Sequence, residues 1–484
     1  MAGRTADAKR ELAGLIDAKA EKFTRVSDDI WGYAETRFDL PKSAGALISA
    51  LESEGFQVQR GAAGMEHAFV ATYGEGGPVI GFLAEYDALS NLSQVSGSTE
   101  KKPLEAGGNG HGCGHNALGT GVLAAAVGLK DFLAKEGRNR RATIKFFGCP
   151  AEESGSGKAF MARDGVFAGT DVMLTWHPWS ETRIWGTSSL ANYQVYFHFK
   201  GTSAHAAAAP ELGRSALDAA ELMSVGVNYL REHIIQDARV HYAYTNAGGE
   251  SPNVVQPSAS VLYFIRAPKS NQVREIFERV TDIAKGAALM TGTAIEVEWD
   301  SACSEYIVND TLARVMYENM MELGDLEYTA SEMDCARGYT DALPDGTADG
   351  VARIIKRSFP DIDPDKARAM ASEPMQGELF PYAMSDEAMK GSTDVGDASW
   401  IAPTAQTLVT CFPTGTSAHS WQWVAAGKSS IVHKGLIYAG KIMAMTALDA
   451  IDNPDIVANA KQEHINRLNG EIYNCAIPKD VVPF

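Results

Sequence analysis

The sequence is short of three things, and each shortage excludes something. It has only six cysteines in 484 residues. That is too few for a disulfide scaffold in so long a chain and points to a reducing compartment, the cytoplasm. No stretch of about 18 consecutive apolar residues occurs, so a membrane-spanning helix is not expected. Positive charge is scarce: 43 Lys+Arg face 61 Asp+Glu, a formal net charge of −18. Such a balance disfavours a partner like nucleic acid or an anionic membrane surface. The opening residues MAGRTADAKRELAGLIDAKA are charged throughout, without the apolar core of a secretory leader. What is left is a soluble, acidic, globular chain, long enough for roughly two to four domains with large cores. Charge alone names no substrate.

Two styles of patterning divide the chain. Leu12, Leu15 and Ile16 share a helical face, and with Ile30, Trp31 and Tyr33 they predict a helix over 7–37 that Pro41 stops. A second helix over 42–54 ends at Gly55. Strands are expected at 56–59, 68–73 and 79–84, the last apolar enough to be buried on both faces. A Gly/Ser/Asn-rich segment from Ser90 to Gly114 follows, and loops of this length in compact domains are usually functional. A helix over 117–135, a strand over 143–149, a short helix over 156–163 and a strand over 171–176 then alternate. This is the rhythm of an α/β domain with a mostly parallel sheet. Arg138–Arg141 reads as a solvated turn.

After about residue 190 the rhythm changes. Asn192–Lys200 alternates with period two, and strands near 239–245, 259–266 and 293–299 are interleaved with helices over 214–232 and 271–289. That pattern predicts a small α+β domain with one open sheet face. The chain is then helical from about 309 and loop-rich to about 400. A strand at 406–411 and a helix at 430–450 resume the first style. The reading is a catalytic domain (1–190 and 309–484) interrupted by an inserted domain (191–308).

Chemistry concentrates at predicted strand ends, where loops face a common crevice. His111-Gly112-Cys113-Gly114-His115-Asn116 sets a thiol and an imidazole two residues apart, with glycines that let both converge on one ion. Glu152 and Glu153 are adjacent carboxylates, costly to bury together unless a cation offsets their repulsion. His177 lies between Trp176 and Pro178-Trp179, and His419 sits in a Gly/Thr/Ser-rich loop. Singly, each segment also fits a structural role. Together they are hard to dismiss as such.

Taken in order, these segments resemble the metal-dependent amidohydrolases of the aminoacylase/carboxypeptidase family. The similarity runs through HGCGHN (111–116), PAEE (150–153), His177-Pro178, GTSAHAAAAPELGRSALDA from Gly201, Asn253-Val254-Val255, GSTDVGD from Gly391, and His419. It is strongest to the branch holding the indole-acetyl-amino-acid and p-aminobenzoyl-glutamate hydrolases. The resemblance implies a zinc-exopeptidase-like catalytic domain with an inserted dimerisation (lid) domain. It implies Cys113, His115, Glu153, His177 and His419 as ligands of one or two Zn or Mn ions, with Glu152 as general base. It places His205 as an oxyanion donor reaching the other half of a homodimer, and it leaves room for a homologous hetero-subunit. Asn253 and the turn Gly391, Ser392 and Thr393 match positions that hold substrate in relatives. Arg266, closing a strand, is a bidentate candidate for a substrate carboxylate. There is one departure. The wider family opens its metal site with His-x-Asp, whereas Glu85-Tyr86-Asp87 stands here.

The expected reaction is hydrolysis of an N-acyl, chiefly N-aroyl, amino acid such as p-aminobenzoyl-glutamate. A dipeptidase or aliphatic N-acyl-amino-acid hydrolase is the alternative. A thiol hydrolase using Cys113 with His111 or His115, and a non-catalytic metal-binding homologue, are more distant readings. Trp176, Trp179, Trp421 and Trp423 flank the ligand loops, as an aromatic wall or as core.

Overall fold

The computed structural model describes residues 2–136 and 140–483. Two helices, α1 (Ala2–Asp17) and α2 (Ala20–Tyr33), stand where the apolar spacing predicts one over 7–37. Lys19 sits at the break, with Nζ 2.6 Å from both Glu54 and Asp131. The kink lets Leu12 and Ile16 of α1 and Phe23 and Ile30 of α2 all bury completely. Next come α3 (Pro41–Ser53), β1 (Gln57–Arg60), β2 (Phe69–Gly74) and β3 (Val79–Glu85). Then α4 (His115–Glu136), β4 (Thr143–Cys149), α5 (Gly157–Arg163), β5 (Val172–Trp179) and the short β6 (Arg183–Ile184) follow. Of the basic stretch, Arg138 and Asn139 lie outside the described residues, and Arg140 Nε sits 2.6 Å from Asp452.

The second style of patterning becomes β7 (Ala191–Lys200), α6 (Ala216–Leu230), β8 (Arg239–Asn246), β9 (Ser258–Ala267), α7 (Ser270–Thr291) and β10 (Ala294–Cys303). After α8 (Asp310–Leu323), the stretch read as loop carries α9 (Ala330–Thr340), α10 (Thr347–Ser358), α11 (Pro364–Ser372) and α12 (Val395–Ile401). The chain closes with β11 (Thr404–Thr410), α13 (Trp421–Ala426), α14 (Ser430–Asp452) and α15 (Pro454–Leu468).

Two sheets result. The larger has seven strands in the order β1-β2-β4-β3-β5-β11-β6, with β4, β3, β5 and β11 parallel at its centre and the antiparallel pairings at its margins. Helices cover the central strands, so β3 and β11 are buried almost throughout. α4 is long and apolar enough to cross a membrane, but it is an interior helix with nearly every residue buried. It packs on α14 through small residues: a Cβ on Gly440 would sit 2.9 Å from Ala124 Cβ. Each large apolar side chain sealed there, such as Leu436 and Ile442, contributes about 1.5–3 kcal/mol.

The smaller sheet, β10-β7-β9-β8, is antiparallel. Its strands alternate, and Val261, Tyr263 and Ile265 bury against Val273, Ile276 and Val280 of α7. Gln194, Tyr196 and His198 of β7 project to the other, more polar face.

Candidate metal centre

The sheet brings the predicted ligands together. Glu85 ends β3, and Asp87 follows two residues later. Glu152 and Glu153 follow β4, His177 is near the end of β5, and His419 lies in the loop after β11. All therefore gather at the carboxyl edge of the parallel strands, where loops converge. Cys113 and His115 arrive from the glycine-rich segment that feeds α4. Gly114 adopts φ +79°, and a Cβ there would lie 2.8 Å from Pro178 and 3.0 Å from Phe412. Only glycine lets this turn press into the centre. Ala151 (φ 60°) and His419 (φ 59°) hold left-handed backbone without being glycine. Such strain persists where the surroundings over-determine it, as at functional sites.

Cys113 Sγ is 3.4 Å from His177 Nε2, and His419 Nε2 is 3.4 Å from Glu153 Oε2. His115 Nε2 lies 3.3 Å from Glu85, 3.8 Å from Glu152 and 3.9 Å from Glu153. The donor atoms of Cys113, His115 and His177 lie within 4.8 Å of one another, as do those of Cys113, Glu153 and His419. Cys113 belongs to both sets, so its sulfur would be a donor to a cation held by either. His177 Nδ1 donates to the Pro178 carbonyl at 2.8 Å, freeing Nε2. Asp87 accepts from His115 Nδ1 at 3.1 Å and from the Glu153 amide at 2.9 Å. A carboxylate behind a ligating imidazole fixes its tautomer and orientation.

A divalent cation fits this donor set. His115 Nε2 and Glu153 Oε1 are buried with no hydrogen-bond partner, yet they face each other across the cluster. Buried polar atoms are rarely left so. Electrostatics agree. Burial and the neighbouring Glu85 and Glu153 carboxylates push Glu152 well above the usual range, and burial lifts Glu153 to about 7. Burial, with the Glu153 carboxylate, also raises the Cys113 thiol well above its ordinary value. A cation reverses all three shifts. Without one, Cys113 is a protonated thiol and a poor nucleophile, which tells against a thiol hydrolase. His111 lies outside the cluster: it bonds the Ile30 carbonyl at 3.1 Å, and burial drops its pKa to about 3.

The other anticipated residues divide into two groups. Arg266 reaches the Lys390 carbonyl at 3.4 Å, beside Gly391, Ser392 and Thr393; its Nε and the Ser392 hydroxyl are buried without partners. The Arg266 side chain and the 391–393 turn thus lie side by side. His205 and Asn253 adjoin each other in the smaller-sheet region, where the Ala206 amide donates to the Asn253 carbonyl at 2.9 Å. Both are exposed, and among the described residues no hydrogen bond or ion pair joins either to the ligands. Of the four tryptophans, Trp176 and Trp423 are buried core. Trp176 donates to the Leu118 carbonyl at 3.0 Å, and Trp423 stacks on Phe412 at 3.9 Å.

Lys158 lies outside every motif, and Asp394, inside GSTDVGD, has no role that the sequence assigns. Lys158 is completely buried, its Nζ 2.6 Å from Glu85 and 2.6 Å from Asp394. Burial opposes ionisation of Glu85, but Lys158 and the facing imidazoles hold its carboxyl below the usual range.

Comparison with known proteins agrees with this geometry. Residues 81–343 match the model of peptidase family M20/M25/M40. The chain is 45% identical to the B-type subunit of p-aminobenzoyl-glutamate hydrolase of Escherichia coli, covering 98% of each chain. It is 28% identical to the Xaa-Arg dipeptidase of Mus musculus over 96% of this chain and 93% of that one. A Bacillus subtilis dinuclear metal binding peptidase of the M20 family shares the fold, with a TM-score of 0.54 at 16% identity over 89% of this chain and 99% of that one. A cluster of cation-seeking donors at the carboxyl edge of a parallel sheet, in a chain so matched, belongs to the M20/M25/M40 peptidase family, whose members hydrolyse amide bonds.

Proposed function

We propose that this hydrolase cleaves the amide of N-aroyl amino acids, with p-aminobenzoyl-glutamate as its model substrate. The observation carrying this reading is the pair of donor sets sharing Cys113, with Glu152 beside them, in a chain 45% identical to part of an enzyme of that name. Cys113, His115, Glu153, His177 and His419 hold one or two divalent ions, Zn or Mn. The metal supplies Lewis acidity and brings the pKa of water near neutrality. Glu152 takes the proton of the attacking water and returns it to the departing amine. Arg266, Asn253 and the turn at Gly391, Ser392 and Thr393 hold the substrate carboxylate. His205 donates to the developing oxyanion of the substrate held by the other half of the dimer, which accords with its exposure and its lack of ties to its own centre.

That other half is a copy of this chain, or a homologue, since the Escherichia coli relative is named as one subunit of its enzyme. A homodimer fits the apolar residues left bare on α6 and β8: Tyr229 is 73% exposed, and Leu222, Val225, Tyr242 and Tyr244 flank it. The inserted domain spans 191–308, between catalytic segments 1–190 and 309–484, and the protein works in the cytoplasm. Glu152→Gln tests the reading. Turnover of p-aminobenzoyl-glutamate is expected to fall by about two to four orders of magnitude with bound metal unchanged. A variant that keeps most of its activity removes Glu152 as the base.

A further inference from the structure

The turn that joins α2 to α3 is unused by this mechanism, yet it packs against two segments of the centre. Ala34 (φ 45°) and Arg37 (φ 57°) hold left-handed backbone without being glycine, as do Ala151 and Ser156, which bracket the Glu152–Glu153 loop. Such strain persists only where the surroundings over-determine it. Here the two strained segments support each other. A Cβ on Gly155 would lie 2.6 Å from the Phe38 ring, and Phe38 meets Phe160 of α5 edge to face at 6.0 Å. On the other side, the Ala88 amide donates to the Glu35 carbonyl at 2.7 Å. Ala88 directly follows Asp87, the carboxylate that accepts from both His115 and the Glu153 amide.

Arg37, inside this turn, reaches away from the centre to the smaller sheet. A cleft of about 770 Å³ lies between them, lined by the 36–39 turn on one side and by Tyr196, His198, Glu298 and Asp300 on the other. Arg37 spans it, with Nη2 3.3 Å from Asp300 Oδ1. Asp300 is the extra residue of a bulge in β10, where Trp299 pairs with Val195 and Ser301 with Gln194. Bulges re-aim side chains. Gln194 Nε2 donates to the other Asp300 oxygen at 2.6 Å, so the carboxylate is held at both ends. The Asp300 side chain is 5% exposed. The pair is therefore not of the fully solvated kind that contributes little, and a carboxylate so buried is costly to leave without its cation. From this chain of contacts we infer that Arg37 is a positioning residue for Glu152. Anchored on Asp300, it fixes the turn whose Phe38 ring sets the place of the Glu152–Glu153 loop. The inference rests on the proposed amide hydrolysis with Glu152 as base, and it deepens that reading by making the smaller sheet part of what aligns the base.

The test uses the metal-loaded enzyme and its Arg37→Met, Asp300→Asn and double variants, with p-aminobenzoyl-glutamate as substrate and bound metal measured in each. A misplaced catalytic group costs rate, so each single variant is expected to lose roughly ten- to a hundredfold in kcat. KM and bound metal are expected to stay near wild type. The double variant is expected to lose no more than Arg37→Met alone, because both changes break one contact. Wild-type kcat in either single variant, losses that multiply in the double, or a loss that follows departing metal overturns the assignment. If the wild-type enzyme does not cleave this substrate, the functional reading has failed, and hydrogen exchange followed by mass spectrometry decides the chain of contacts alone. Asp300→Asn then speeds exchange in 150–156, a segment that the Asp300 side chain does not bond among the described residues. Exchange there equal to wild type overturns the inference.

Discussion

Lys158 shows how much of the centre depends on a residue outside every motif. Its ammonium is the counter-charge to Glu85, which faces His115, and to Asp394, which follows the Gly391–Thr393 turn. Removing one partner of a buried ion pair strands the other charges. Lys158→Met is therefore expected to cost about 3–5 kcal/mol, read as a lowered urea midpoint; a midpoint equal to wild type removes the strut. At this scale the cluster of candidate donors was legible because cysteine, histidine and glutamate in glycine-rich strand ends carry their chemistry in their type and spacing. Lys158 was not, because a lysine early in a predicted helix looks like any solvated charge. Only the fold turns it inward. Glu85 was visible as a departure from His-x-Asp, but its ion pair with Lys158, separated by most of the glycine-rich segment and α4, was not.

The elements reading well from sequence were those whose apolar period matches their surroundings. β4 (Thr143–Cys149) coincides with the expected strand, β3 is longer than expected by a residue at one end, and β9 by a residue at each end. The helices between 330 and 372 were missed because their apolar faces are short, although their start signals were present. Thr329 and Glu332 form a capping box, and Pro364 follows the N-cap Asp363. The join of α1 and α2 was hidden for the opposite reason: the break is made by tertiary partners of Lys19, not by a local stop signal. Glycine within α4 is a sharper element-level feature. A Cβ on Gly121 would lie 2.6 Å from Trp176 Nε1, the atom that bonds the Leu118 carbonyl. Gly121→Val is expected to destabilise by about 1–3 kcal/mol through overpacking. Calorimetric melting checks it, and an unchanged Tm contradicts close packing of α4 on β5.

For the whole molecule, the scarcity of positive charge becomes a statement about where anions are buried. Burial raises Asp397 and Glu153 to about 7 each, from ordinary values near 3.8 and 4.5. A carboxyl raised in the folded state binds more protons there than when unfolded, so stability falls as pH rises from its unfolded value through the folded one. Metal-stripped protein is accordingly expected to melt at progressively lower temperature between about pH 5 and pH 8. Metal offsets this by favouring the ionised ligands, and binding then releases protons. A flat or rising Tm across that range, in chelated protein, contradicts the buried-carboxylate description. The net charge of −18 also means long-range attraction does not deliver a carboxylate substrate. That field has to be local, as proposed for Arg266 and a bound cation.

The most direct measurement is hydrolysis of p-aminobenzoyl-glutamate before and after exhaustive dialysis against a chelator, followed by return of Zn or Mn. Loss of turnover on dialysis and recovery on adding metal, with Cys113→Ser binding less metal, are the expected results. Turnover that survives chelation yet disappears on alkylating Cys113 contradicts the metal centre and restores the thiol mechanism.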